Sequence, residues 1–369
     1  MLKSKLSLFI FAAWFVFAVL PDKLMAFQSK AGLVTAPVPP DPHELVTGPV
    51  QIAALPSDRE AALSLLRRAS DNAISHQPTM NPFNFTVSFV ANGHLTYTGQ
   101  GELTETWKSG QNWRVTERIG DYSLVRVGYS GQSADERPVS MIPMRAQMLR
   151  NEVMWRTSST VNAAGTAQIR TSAAQWNGKP VTCVLISHVG GAAAQVQSRL
   201  WEESEYCIAN DSGLLQTHSV APGTYTVFDY GKNLTFHGKS LPDHITTYVA
   251  GAQANQADLS IADFSADSAG LLIQTPEMLA NGRPTIALSE PLVIPIDVPS
   301  TGSTGTIQPI VLHAELDAQG NMHDVELSAT ADAKLTSAAL DAAKKLKPGR
   351  TGASQAYIIV RFIPASPTQ

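Results

Sequence analysis

The stretch FNFTVSFVANGHLTYTGQGELTETW, Phe83 to Trp107, decides the fold. Its odd positions Phe85, Val87, Phe89, Leu95, Tyr97, Leu103 and Trp107 are apolar or aromatic, while the even positions between Thr86 and Thr106 are mostly polar. A period of two marks strands buried on one face, so the stretch predicts two or three antiparallel strands. The pattern runs on through Trp113, Val115 and Ile119, and then into DYSLVRVGYSG. Upstream the period is helical: Ser57 and Glu60 form a capping-box pair, and Ala61, Leu65, Leu66 and Ala69 recur at helix spacing. This predicts a helix from about Asp58 to Ile74.

A second helix is expected in VSMIPMRAQMLRNEVMW, where Met141, Met144, Met148 and Leu149 share a face. More strands follow around QIRTSAAQW, PVTCVLIS, SRLWEESEYCIA, LLQTHSV, TYTVFDYG and HITTYVAG. From 251 to 305 the periodicity weakens into Pro-spaced and then Gly/Ser-rich chain, which predicts a linker. After it come a hairpin turning at Asp317 to Gly320, a helix ended by Pro348 and Gly349, and the last strand AYIIVRF. The expected class is α+β: a large curved antiparallel sheet, or half-barrel, with helices over 57–250, then a small ββαβ domain over 306–364.

The chain opens with Lys3 and Lys5, an apolar run from Leu6 to Leu20, and Ala26 placed before a cleavage point. This is a secretory signal pattern over 1–26. As a helix the run would be about 22 Å long, short of a hydrocarbon core of roughly 30 Å. A cleaved signal, an extended leader over 27–56 and a periplasmic protein are therefore expected, with membrane anchoring the alternative if the signal stays. Cleavage would remove Lys3, Lys5, Lys23 and Asp22, leaving the chain more acidic than its formal −4. Such a surface offers nothing to neutralise phosphates, so nucleic acid is not an expected partner.

Cys183 and Cys207 are the two cysteines. In an oxidising compartment the simplest expectation is a disulfide closing a loop of about 25 residues; two buried thiols on diverging strands are the alternative. Patterns that carry chemistry are scarce. Ser130 lies between Gly128 and Gly131 without nucleophile-elbow spacing, which suits a hairpin end. No zinc-protease or Cys/His metal set occurs. The hairpin register places His313 opposite Asp324 and His323 on the other face, so the two do not share a metal. Alternation splits Glu202 from Glu203 and Glu205, the pattern of a solvated strand face. No catalytic residue, metal or cofactor is expected, and an enzyme is the least supported class.

Two stretches resemble known families. Asp317 and Gly320 in the turn, the helix SAALDAAKK and the final VRF (Val360, Arg361, Phe362) resemble the C-terminal domain of TonB-type energy transducers. That domain implies a small sheet with one helix that pairs an exposed strand with a partner peptide. The usual Trp-x-Phe-x-Pro-Ala after the helix is missing here, since KKLKPGRTG has Leu346 and Pro348 instead. The resemblance points to Tyr357, Ile359 and Arg361 as the partner-binding edge, the partner being an outer-membrane or other envelope protein. Residues 57–250, through Asp211, Gly213, Leu214, Gly238, Leu241 and Pro242, resemble LolA-type periplasmic lipoprotein carriers. These imply a half-barrel holding a lipid or lipoprotein acyl chain. The aromatic face supplies candidates to line it: Phe85, Phe89, Tyr97, Trp107, Trp113 and Trp201, with Met144 and Met148 as pliable lid residues. A stripe of aromatics at strand period is also the pattern of plain core, and the sequence leaves both open. The expected function is a non-enzymatic envelope protein that binds an apolar ligand and docks a partner by strand addition. An anchored energy transducer and an unrecognised secreted enzyme are the alternatives.

Overall fold

The computed structural model describes residues 51–52, 56–136, 142–154, 167–187, 199–200, 203–273, 275–285, 291–300, 309–317, 319–330, 333–347 and 355–364. The expected signal segment, most of the expected leader, Met141 and Trp201 lie outside the described residues. Among those described, no helix is long and apolar enough to cross a membrane.

Strand β1 (Gln51–Ile52) and helix α1 (Pro56–Asp71) are followed by a meander of β2 (Phe83–Ala91), β3 (Gly99–Ser109), β4 (Asn112–Ile119), β5 (Tyr122–Tyr129) and β6 (Gln132–Asp135). Helix α2 (Met144–Val153) leads to β7 (Gln168–Trp176), β8 (Lys179–Ser187), β9 (Ser204–Ala209), β10 (Leu215–Ala221) and β11 (Thr224–Asp229). A short hairpin, β12 (Thr235–Phe236) and β13 (Lys239–Ser240), precedes β14 (His244–Val249) and β15 (Ala252–Asp263). Then come helices α3 (Ala266–Ile273) and α4 (Thr275–Asn281), and strands β16 (Arg283–Pro284) and β17 (Leu292–Ser300). The chain finishes with β18 (Ile310–Leu316), β19 (Met322–Ala329), α5 (Thr336–Lys344) and β20 (Gln355–Pro364).

Fourteen strands form one open sheet in the order β1-β7-β8-β9-β10-β11-β14-β15-β2-β3-β4-β5-β6-β16. Adjacent hairpins turn on two-residue loops such as Ser130-Gly131 and Asn177-Gly178, where both residues have positive φ. Such turns match strand twist. The meander and the later strands are joined by β15, which pairs with β2 from Asn255 opposite Ala91 to Asp263 opposite Phe83. The expected linker over 251–305 is thereby corrected. Its first part is a central strand, whose buried positions are Ala254, Asn255, Ala257 and Leu259. Small and polar residues on a buried face leave almost no hydrophobic period to read.

On the inner face, Phe83, Phe85, Val87, Phe89, Leu103 and Trp107 pack in one core with Leu66 and Ala69 of α1 and Leu149 and Val153 of α2. The buried face of α1 is Ala62, Leu63, Leu66 and Ala69; Ala61 is exposed, so the expected face is shifted by about one position. On the outer face α3 lies against β3 and β4, and α4 against β5 and β6. Farther along that face, Ala174, Trp176, Val181 and Leu185 surround Cys183 and Cys207. These two cysteines stand opposite each other on β8 and β9 and form a disulfide.

The small sheet has the order β17-β20-β18-β19. One face packs under α5 through Leu312, Ala314, Ile358 and Val360 with Ala339 and Ala343. To the hairpin, helix and strand in ββαβ order a further strand is added, because β17 lies parallel to β20 from Leu292 opposite Ala356 to Ser300 opposite Pro364. Pro295 and Pro299 fit there since β17 is an edge strand. The terminal strand is therefore central, not an edge. Tyr357 and Ile359 are buried, and Arg361 donates from Nε to Asp297 Oδ1 at 2.7 Å.

Candidate functional site

The candidate site is the inner face of the large sheet together with α2, which is wedged between that face and the small sheet. The apolar part is built by strand parity. Phe83 and Trp107 stack at 5.4 Å, and Phe236 from the β12–β13 hairpin meets Phe83 edge-on at 6.4 Å. A narrow cleft of about 20 Å³ opens at the end of α1, lined by Ala69, Asn72, Ile74, Val153, Leu215 and Phe228. That is room for about one water, so an acyl chain would enter only by displacing α1 or α2 from the face.

Of the residues singled out in the sequence, Phe85, Phe89 and Trp107 lie buried in this core, and Tyr97 and Trp113 pack partly buried against it. Met144 and Met148 do not lie over the aromatic stripe. They form a separate cluster with Val249, Ala254 and Leu95. The reason is rotation of α2: Leu149 and Val153 face the inner core while the methionines face β14 and β15.

The inner face is also charged at one end. Glu105 lies between Leu103 and Trp107 in the core-facing series, with Oε1 2.7 Å from His76 Nε2. Arg126 and Asp135 are paired at 3.0 Å, and Arg150 of α2 reaches Glu117. Glu105 Oε2, Glu117 Oε2 and the Tyr122 hydroxyl are buried without a hydrogen-bond partner among the described residues. Burial, with the Glu117 charge beside it, pushes the Tyr122 phenol well above its ordinary value. Glu152 of α2 meets His218 Nδ1 at 2.8 Å, and the His218 ring stacks on Tyr206.

At the other side of α2 lies the junction with the small sheet. Arg145 forks onto Glu326, with Nη1 to Oε1 and Nη2 to Oε2 both 2.7 Å, and its Nε donates to the Asn92 carbonyl at 3.0 Å. His313 Nδ1 is 3.0 Å from Glu326 Oε1, its Nε2 is 2.8 Å from Gln355 Oε1, and its ring stacks on Tyr357 at 4.4 Å. Burial alone would raise the Glu326 carboxyl, but His313 and Arg145 hold it down at about 2. Glu315, buried near the first turn of α2, is pushed up to about 8 by burial, and the charge of Asp324 adds to this. Thr224 and Ser328 share a hydrogen bond of 2.7 Å, Ser328 Oγ donates to the Pro222 carbonyl, and Asp324 accepts from Thr96.

Two sequence expectations are corrected here. His313 stands opposite Glu326, not Asp324, because bulges in β18–β19 shift the register. Glu203 is not on a solvated face: it is buried, accepts from Arg170 Nε at 2.6 Å, and holds the Leu200 N–H at 2.7 Å. Glu205 is buried as well. Arg145, Arg150, Glu152, His218 and Glu326 were not singled out from the sequence. Glu105 and Glu117 had a readable signal, since each falls at a core-facing position of its strand.

No protein-family model matches the chain, and no curated protein matches it. Among solved structures it is similar to a LolA superfamily protein from Nitrosomonas europaea, at 11% identity and TM-score 0.34, over 55% of this chain and 91% of that one. It is also similar to a putative outer membrane lipoprotein-sorting protein domain from Vibrio parahaemolyticus, at 7% identity and TM-score 0.38, over 56% and 94%. A third likeness is to the MucA/MucB complex of Pseudomonas aeruginosa, at 13% identity and TM-score 0.25, over 62% and 64%.

Proposed function

We propose that this is a periplasmic binding protein rather than an enzyme, holding a lipid or lipoprotein acyl chain on the inner face of its large sheet and docking an envelope partner through its small domain. The observation that carries the reading is the apolar core of the inner face under two helices, with a cleft of about 20 Å³ where α1 ends. An acyl chain entering there replaces contacts of α1 with contacts of its own, so little apolar surface is left bare.

The test is organic extraction and mass spectrometry of the purified full chain, followed by titration with a fluorescent fatty acid. Co-purified lipid, or saturable uptake at one site, is expected. Ala69→Trp, which fills the cleft, should weaken uptake at least tenfold. No extractable lipid and no saturable uptake by a chain with a native near-ultraviolet spectrum would overturn the reading.

A further inference from the structure

We propose that the outer edge of β19, with the groove between β19 and α5, docks an extended segment of a partner protein that carries apolar residues at alternate positions followed by acidic ones. The inference rests on the docking role assigned above to the small domain, and it moves the dock away from the terminal strand. Sheet order leaves β17 and β19 as the two edges among the described residues. Along β17, Pro295 and Pro299 lack N–H donors, which makes that edge a poor template. β19 has no proline, and although its register shifts at either end, the run Val325–Leu327 between the shifts keeps regular pairing and offers its outer donors and acceptors to an added strand.

Beside that edge runs a groove of about 560 Å³. Its apolar walls are Met322 and Val325 from β19 and Leu340 and Leu346 from the α5 side, all only partly buried. Lys344 and Lys347 line the same groove, and neither forms an ion pair among the described residues. On a chain of net charge −4 these lysines favour an acidic visitor. The opposite face of β19 is pinned to the large domain by Asp324, Glu326 and Ser328. The edge is thus held rigid, which lowers the entropic penalty of adding a strand. In an added strand, alternate side chains share one face. Two apolar residues two apart would meet the groove walls, and acidic residues at the next same-face positions would reach the lysines.

The test uses the full chain and a fluorescein-labelled decapeptide with Val at two alternate positions, Glu at the next two and Thr between them. Saturable anisotropy change is expected, with slowed amide exchange in Met322–Leu327. The double variant Lys344→Glu/Lys347→Glu should weaken binding at least tenfold and strengthen binding of a Lys-for-Glu peptide. Failure of the Glu peptide to bind, or equal binding by the double variant, overturns the proposal. So does a dimer in sedimentation that the peptide does not compete, since a second copy then occupies the edge. Fatty-acid uptake is measured on the same sample, so failed peptide binding with intact uptake removes this dock and leaves the inner-face reading standing.

Discussion

Glu315 and Glu326 lie on the same face of the small sheet and respond to protons in opposite directions. Glu315 is raised to about 8, so the folded state holds its proton more tightly than the unfolded chain, whose carboxyl titrates near 4.5. Its contribution is then fullest below pH 4.5 and falls as pH rises toward about 8. We expect the melting temperature to drop across that window, and Glu315→Gln to flatten the drop; calorimetry from pH 5 to 8.5 measures both. Glu326 is held at about 2, so its stabilisation is present above pH 4.5 and lost as pH falls through about 2. Arg145→Ala strands this carboxylate in a partly dry site and should destabilise by about 3–5 kcal/mol in urea unfolding. Arg145→Met with Glu326→Leu should lose less than either single change, since no charge is left unpaired.

Among the elements, the β8–β9 pair is tied by the Cys183–Cys207 disulfide, whose cysteines are 24 positions apart. Closing a loop of that size contributes about 3 kcal/mol by restricting the unfolded chain. Reduction under conditions that keep the native state populated should lower the unfolding midpoint accordingly, with Cys183→Ala/Cys207→Ala showing the same shift. Strands whose period is written in large side chains, such as β2 and β3, were legible from the sequence, as was the turn at Asp317 to Gly320. Strand β15 was not, because Ala254, Asn255 and Ala257 are buried without being distinctively hydrophobic. Nor was the parallel partner of β20, because prolines in β17 read as linker until an edge position explains them. Helix α2 was found, but its arginines and glutamate gave no sign of being buried: Arg145, Arg150 and Glu152 each find a partner on a strand far away in sequence. Ion pairs across such separations leave no local pattern.

The molecule as a whole depends on the contact between its fourteen-stranded and four-stranded sheets. Gly223, with φ +80°, lies in the β10–β11 turn, where a side-chain Cβ would come 1.9 Å from the Ser328 carbonyl oxygen. Both the backbone conformation and the neighbour forbid a larger residue. Gly223→Val should therefore undock the small sheet without unfolding either one, giving a larger radius of gyration in X-ray scattering and faster amide exchange around Thr224 and Ser328. An unchanged radius would mean that the junction tolerates a spacer. The position of β20 has a further consequence, for biosynthesis. A ribosome delivers β17 before the strand it pairs with, so Ile294 and Ile296 wait for seconds without their β20 neighbours. During that interval the emerging chain presents adhesive apolar strands, and a holding chaperone has most to do just before the last strand arrives.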